Sequence, residues 1–483
     1  MQTLIPQQIS ANGRTFGRMG RVVGFGITAR GLWLLLAGLL FSVPEFFHPH
    51  RLWIMLAWDG VIALLIFGDA MLLVTPVKIS VTRRFLHSPA IAQPVEIEYE
   101  VTQLSNGIVT IAVTDNLHPA LIEMPRSVTL TAFPREAAKA SLTVSPRERG
   151  DVELGKIYLR YKGALGLVER WAVCDCEQKI RIFPASEQGS SNTELYLMRA
   201  RQIELQKRRL RLRGIGREFE SLRDYQRGDE LRNISWTATA RRAKLITRQF
   251  TTERSQQVWV VLDAGRLSRT AFRLGSEVMR PTSQSRDVGH PDTELVVTQL
   301  DQAATAALML AQVIGSSGDK FALLTYGRAI QQQLLPGNGA PHLRIMIDLL
   351  SQTKSERSEA NHLNAVSRLK NLQRRRGLVL WVTEIADSVG RPEVVTAAAE
   401  LVRRHLVVLV LLQHPELEAL SRREPKNAEE MFASTAAQEI LERRRASIVK
   451  LRQQGVLVVE TTPGEVGAAA ITKYLEVKAQ GLI

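Results

Sequence analysis

Cysteine is nearly missing from this chain. Among 483 residues only Cys174 and Cys176 carry a thiol, too few for a disulfide framework. Their C-D-C spacing is too short for an unstrained bridge on an extended strand, and two thiols are too few for a zinc site. They read as reduced strand residues. Catalytic signatures are missing as well: the nine histidines are scattered, and neither G-x-S-x-G nor H-E-x-x-H occurs. His48-Pro-His50 reads as an exposed turn between two apolar stretches. Acidic residues are absent from the first 44 positions, which carry Arg14, Arg18, Arg21 and Arg30. With 45% hydrophobic and 23% charged residues, the composition excludes a disordered or fibrous chain and suits two or three ordinary domains.

What is present begins with two apolar stretches, GLWLLLAGLLFSVPEFF and LWIMLAWDGVIALLIFGDAMLLV, joined by a short link with Pro49 and Arg51. Each is near the roughly 20 residues that a helix needs to cross a bilayer, so the pair reads as a transmembrane helical hairpin. Arginines before it and Lys78, Arg83 and Arg84 after it put both flanks in the cytoplasm by the positive-inside rule. The long basic arm and the absence of a small-residue cleavage site argue against a signal peptide. Asp59 and Asp69 inside the second stretch are costly in a bilayer, and with no cationic partner there they do not suggest a transporter.

From Val77 to about Pro184 short alternating runs such as VEIEYEV, IVTIAV, SVTLTAF and KIRIF are separated by Pro, Gly, Asn and Asp. This spacing predicts an immunoglobulin-like β-sandwich. Between Arg199 and Arg217 eight basic residues face one acid, Glu204. That run suits a solvated or partner-facing helix or anionic lipid headgroups. Nucleic acid is disfavoured, since no aromatic is interleaved for base stacking. From Val258 the fully apolar strands VWVVLD, FALLTY, LVLWVT, LVVLVLL and VLVVE alternate with helical stretches, which implies a parallel sheet covered on both faces.

Between the basic run and the first of those strands lies a dense pattern: Glu218, Arg223, Tyr225, Gly228, Asp229, Arg232, Trp236, Ala240, Arg241, Leu245, Arg248, Glu253 and Arg254. Gly228-Asp229 is a turn signal, the alternating arginines and acids can pair locally, and Trp236 has the bulk to anchor the returning strand. No glycine-rich phosphate loop with Lys accompanies the arginines. These positions resemble the signature of the domain-of-unknown-function 58 family, membrane-anchored proteins with a von Willebrand factor A-like domain. The resemblance implies a MoxR-type AAA ATPase as protein partner and a place in the bacterial inner (cytoplasmic) membrane. The expected layout is a basic cytoplasmic arm over 1–30, a two-span hairpin over 31–76, the sandwich over 77–186, the basic linker and signature over 187–256, and a Rossmann-like α/β domain over 257–483.

In open α/β sheets ligands sit beyond the carboxyl ends of the strands, here marked by Asp263, by Thr383 with Glu384, and by Gln413 with His414. Domains of the resembled architecture often hold Mg²⁺ there through D-x-S-x-S, a threonine and a later aspartate. Asp263 starts that pattern, but Gly265 and Leu267 stand where the serines belong, and Glu384 replaces the later aspartate. A reduced metal site would use Asp263 and Glu384. The alternative, favoured by the missing hydroxyls, has Asp263 capping the next turn and Glu384 in a solvated loop. The long loop over 264–293 reads as a partner-contacting flap. The leading functional expectation is a noncatalytic membrane-held adaptor that binds a protein. A metal-dependent hydrolase or phosphate-binding enzyme at the strand ends, and a lipid or nucleic-acid binder using the basic linker, are the alternatives.

Overall fold

Strict alternation of apolar and polar residues builds the first unit of the chain, Met1–Phe183. The computed structural model describes residues 5–15, 24–40, 52–105, 107–122, 126–185, 196, 198, 202, 218–226, 229–251, 255–274, 295–385 and 392–482. The unit opens with β1 (Ile9–Thr15), β2 (Phe25–Ile27), α1 (Ala29–Gly38) and α2 (Leu52–Leu72). Nine strands follow: β3 (Ile79–Phe85), β4 (Val95–Gln103), β5 (Val109–Asp115), β6 (Ser127–Ala132), β7 (Ala137–Val144), β8 (Gly150–Leu154), β9 (Ile157–Lys162), β10 (Val168–Cys174) and β11 (Gln178–Ile182).

Two antiparallel layers result, in the order β7-β4-β3-β1 and β1-β10-β9-β5-β6. The N-terminal segment expected as a basic arm supplies the shared strand. Its first half pairs with β3, Ile9 opposite Arg83, and its second half with β10, Gly13 opposite Cys174. Inward residues of both layers, among them Val81, Ile97, Val101, Ile111 and Leu159, meet in one core, as the period-2 pattern requires. Cys174 and Cys176 are free and buried there, and burial pushes the Cys174 thiol up to about 12.

The two-span hairpin expected over 31–76 is overturned. At 1.5 Å per residue the ten residues of α1 reach about 15 Å, roughly half of a bilayer's hydrocarbon core. Among the described residues one helix is long and apolar enough to cross, the stretch Trp53–Leu72 within α2. The inner-membrane topology with two spans and with both termini and the soluble domains in the cytoplasm falls with the hairpin. Residues 41–51 lie outside the described residues.

Asp69 is also not an unpaired acid. It is buried near the end of α2, and its carboxylate accepts the backbone N–H groups of Leu165, Leu167 and Val168 at 3.0, 3.0 and 3.1 Å. This is a nest of amides at the β9–β10 turn. A Cβ on Gly163 would stand 2.3 Å from Asp69 Oδ1, so only glycine lets the turn approach this closely. The N-cap of α1 grips the same turn, with Thr28 Oγ1 donating to Gly166 O at 2.6 Å.

The second unit, Pro184–Ile483, starts with an antiparallel arm made by β12 (Glu218–Asp224), α3 (Trp236–Arg242) and β13 (Ile246–Thr251). The main sheet comprises β14 (Gln257–Asp263), β17 (Lys320–Tyr326), β18 (Ile330–Gly337), β19 (Leu378–Thr383), β20 (Leu406–Leu412) and β21 (Leu457–Thr461). A small pair, β15 (Ala271–Leu274) and β16 (Leu295–Thr298), lies between the first two of these strands in sequence. The spatial order β18-β17-β14-β19-β20-β21 is the doubly wound order 3-2-1-4-5-6, and β18 alone runs antiparallel.

The helices are α4 (Gln299–Ser316), α5 (Ala340–Gln352), α6 (His362–Leu372), α7 (Glu393–Val402), α8 (Pro415–Arg422), α9 (Ala428–Gln453) and α10 (Val466–Ala479). α4, α5 and α10 pack with Val258, Val260 and Leu262 on one face, while α6, α7 and α9 pack with Trp259 and Val261 on the other. Burial on both faces explains why β14, β19 and β20 read as unbroken apolar runs.

Candidate functional site at the strand edge and signature arm

β14 delivers Asp263 to the carboxyl edge of the sheet, where a Rossmann-like fold places its ligands. Both oxygens of this carboxylate hold protein donors: the Gly265 N–H at 2.8 Å on Oδ1, and the Thr383 hydroxyl at 2.6 Å on Oδ2. Asp263 therefore caps the following turn. Burial raises its pKa, offset in part by nearby His362 and by the Thr383 hydroxyl. Beside it Trp381 Nε1 donates to Tyr326 Oη at 2.8 Å, and that hydroxyl meets His362 Nδ1 at 2.8 Å. Burial lowers the pKa of His362, which favours the neutral ring.

Glu384 is buried, with only 4% of its side chain exposed, and is not in a solvated loop. It accepts the Ile385 N–H at 3.0 Å, lies 3.2 Å from His414 Nε2, and is ion-paired with the Arg444 guanidinium of α9. The other arm of Arg444 donates to Leu412 O at 2.6 Å. A small cleft between the acids is lined by Asp263, Ser268, Gln299, Thr383 and Glu384. The turn after Asp263 is tied to the segment 356–361, with Glu356 N–H donating to Ala264 O at 2.7 Å and Arg266 N–H to Ser358 O at 2.8 Å. Among the described residues no group of three or more His, Cys, Asp or Glu stands where it could hold a metal.

The fold thus brings Asp263 and Glu384 to one cleft. Arg444 gave no sequence signal, because it sits in the polar run Glu442-Arg443-Arg444-Arg445 of a helix 60 residues beyond its partner. A buried strand-end acid does require a counter-charge, and that requirement was the only clue.

The signature residues form the arm, away from the strand edge. Arg223 donates to Asp229 at 2.6 Å, and the Gln226 N–H donates to the same carboxylate at 2.9 Å. The Gln226 amide and then Arg223 hold the Asp229 carboxyl below the usual range. Arg232 pairs with Glu230 at 2.5 Å, the Tyr225 N–H donates to Leu245 O at 2.9 Å, and Glu218 opens β12 opposite Thr251. Arg248 on β13 faces Leu222, and Arg241 lies in the last turn of α3. Trp236 does not anchor the strand in the core: it is 67% exposed, and Leu231 of the same arm 71%. Gly228, Glu253, Arg254, most of the basic run 199–217 and positions 275–293 of the long loop lie outside the described residues.

A similarity to a known family falls on this arm and most of the sheet. Residues 221–430 match the family described as "Protein of unknown function DUF58". The match takes in the arm, the cleft and the sheet through β20, somewhat under half of the sequence. No curated protein matches the chain.

Three solved structures are similar over part of it. The conserved hypothetical protein BatB from Bacteroides thetaiotaomicron is 11% identical with a TM-score of 0.27, covering 46% of this chain and 99% of that one. The SpRpn10 VWA domain is 6% identical with a TM-score of 0.26, covering 44% and 93%. An uncharacterized membrane spanning protein from Vibrio fischeri is 10% identical with a TM-score of 0.16, covering 47% and 98%. Likenesses this distant carry no function to this chain.

Proposed function

We propose that this protein is a noncatalytic adaptor whose DUF58 domain docks a protein partner through the signature arm. The observation that carries the reading is Trp236, 67% exposed on α3, with exposed Leu231, Arg232 and Arg241 in the same arm. Exposed Trp and Arg are the residue types that dominate binding energy at protein interfaces, and α3 has no buried residue to explain its sequence by packing. At the strand edge both oxygens of Asp263 and Oε1 of Glu384 are held by protein donors.

The family resemblance supports a MoxR-type AAA ATPase as the partner. On that reading the ATPase supplies the energy and this chain positions it, in the assembly or maturation of envelope complexes, with α2 holding the chain to a bilayer.

The test is a titration of purified MoxR-type ATPase against the whole chain in detergent, beside a variant carrying Trp236→Ala and Leu231→Ser. The expected result is saturable binding that weakens at least about tenfold in the variant, as for a hot-spot residue, with an unchanged melting temperature. Binding equal in the two proteins moves the docking surface elsewhere, and no binding by either removes this partner.

A further inference from the structure

We propose that Arg444 is the resident cation of the strand edge, taking the electrostatic place of a divalent ion, so that the edge is built to work without metal. Mg²⁺ needs near-octahedral oxygen ligands at about 2.0–2.1 Å. The residues present do not fit it. Positions 265 and 267 are glycine and leucine and supply no hydroxyl. Serine cannot return at 265 in this backbone, because a Cβ there would stand 2.8 Å from both Ala360 Cβ and Ala360 N. Ser268, one residue out of register, donates its hydroxyl to Gly265 O at 2.7 Å. Both Asp263 oxygens hold donors, and Glu384 Oε1 holds the Ile385 amide and Arg444, while Oε2 faces His414 Nε2 at 3.2 Å. Gln299 Oε1 and Glu384 Oε2 have no hydrogen-bond partner among the described residues, but two oxygens, one of them a neutral amide, fall well short of an octahedral shell.

The guanidinium answers what the metal would otherwise answer. A carboxylate buried to 4% exposure at the end of β19 is costly unless it is paired. Arg444, itself only 11% exposed, supplies a charge that cannot be lost by deprotonation. Its second arm on Leu412 O ties the end of β20 to the end of β19, a planar two-ended bridge that a spherical ion cannot make. The missing serines and the arginine are then one feature: the site traded an exchangeable cation for a covalently attached one. This inference is independent of where the partner docks.

Thermal melting and calorimetric titration of the whole chain in detergent test it, with Mg²⁺ and Mn²⁺ as the probes. The wild type is expected to melt at the same temperature in chelator and in excess Mg²⁺ or Mn²⁺, and the titration to be silent. Arg444→Met should lower the melting temperature on the order of 5–10 °C by leaving Glu384 unpaired. That variant should gain an upward shift with Mn²⁺ that the wild type lacks. Adding Glu384→Gln to it should restore most of the loss and abolish the Mn²⁺ response. Saturable Mg²⁺ binding by the wild type that disappears in Asp263→Asn overturns the proposal, as does an Arg444→Met protein that melts like the wild type. If Arg444→Met does not fold, the double variant decides: near-native melting supports the proposal, and failure to fold overturns it.

Discussion

Arg83 in the sandwich and Arg444 in the α/β unit each meet a buried carboxylate, yet one pair lies along a strand and the other at a strand's end. Arg83 lies mid-strand on β3, fully buried, 3.3 Å from Asp115, which also accepts the Tyr99 hydroxyl at 2.9 Å. It donates to Gly155 O at 2.9 Å and to Cys176 O. Burial raises the Asp115 pKa to about 6, against the pull of Arg83 and Tyr99. Every partner there belongs to the sandwich interior, so the pair only holds strands together. Glu384 sits one residue beyond the end of β19, beside a cleft, and Arg444 reaches it from α9. The same chemistry is structural where ladders enclose it, and becomes part of a site where the ladders stop.

The largest effect that could break this comparison comes from Arg83→Met. Leaving Asp115 without its cation should cost the sandwich about 3–5 kcal/mol, read by hydrogen exchange in the first unit of the whole chain. The loss should be larger at pH 8 than at pH 5, since Asp115 can take a proton at the lower pH. Equal losses at both pH values would mean that Arg83 acts by packing alone.

Next comes Asp69→Leu, which strands three amides of the β9–β10 turn. A cost of about 3 kcal/mol is expected, at about 1 kcal/mol or more for each unsatisfied buried donor. Exchange protection should fall at Leu165, Leu167 and Val168. If protection there is unchanged, α2 is not anchored through this acid.

The smallest effect is a pair of opposed pH slopes. The Asp115 pKa is raised in the folded state, so its contribution is present below its ordinary value near 4 and is lost as pH rises through about 6. The His362 pKa is lowered by burial, so its contribution is present above about 6.5 and is lost as pH falls through its folded value. Acid should therefore loosen the α/β unit while relieving the sandwich. His362→Gln should flatten the acid slope of the α/β unit alone, measured by the pH dependence of exchange in each unit.

How much of this was legible follows the range of the signal. The unbroken runs VWVVLD, LVLWVT and LVVLVLL announced central parallel strands, because burial on both faces removes every polar position. β18, with the sequence IQQQLLPG, escaped notice because an edge strand keeps polar residues. β1 escaped too, since its core-facing positions are Ile9, Ala11 and Gly13, and alanine and glycine carry little hydrophobic signal. In the site, Asp263 and Glu384 were readable as strand-end acids, and the loss of the serines was readable in the same register. The apolar stretch after Arg30 misled, because composition counts apolar residues and does not say where the helix stops.

The sequence by itself determined the α/β alternation, the sandwich periodicity, the degenerate metal pattern and the family signature, all local properties of spacing and residue type. Only the tertiary structure decided that Asp69 caps a turn, that Trp236 faces solvent, that α1 stops short, and that a helix 60 residues downstream brings Arg444 to Glu384. Those outcomes depend on which groups a closed fold brings together. Pairing a buried charge is a requirement that the sequence states without saying which residue will meet it.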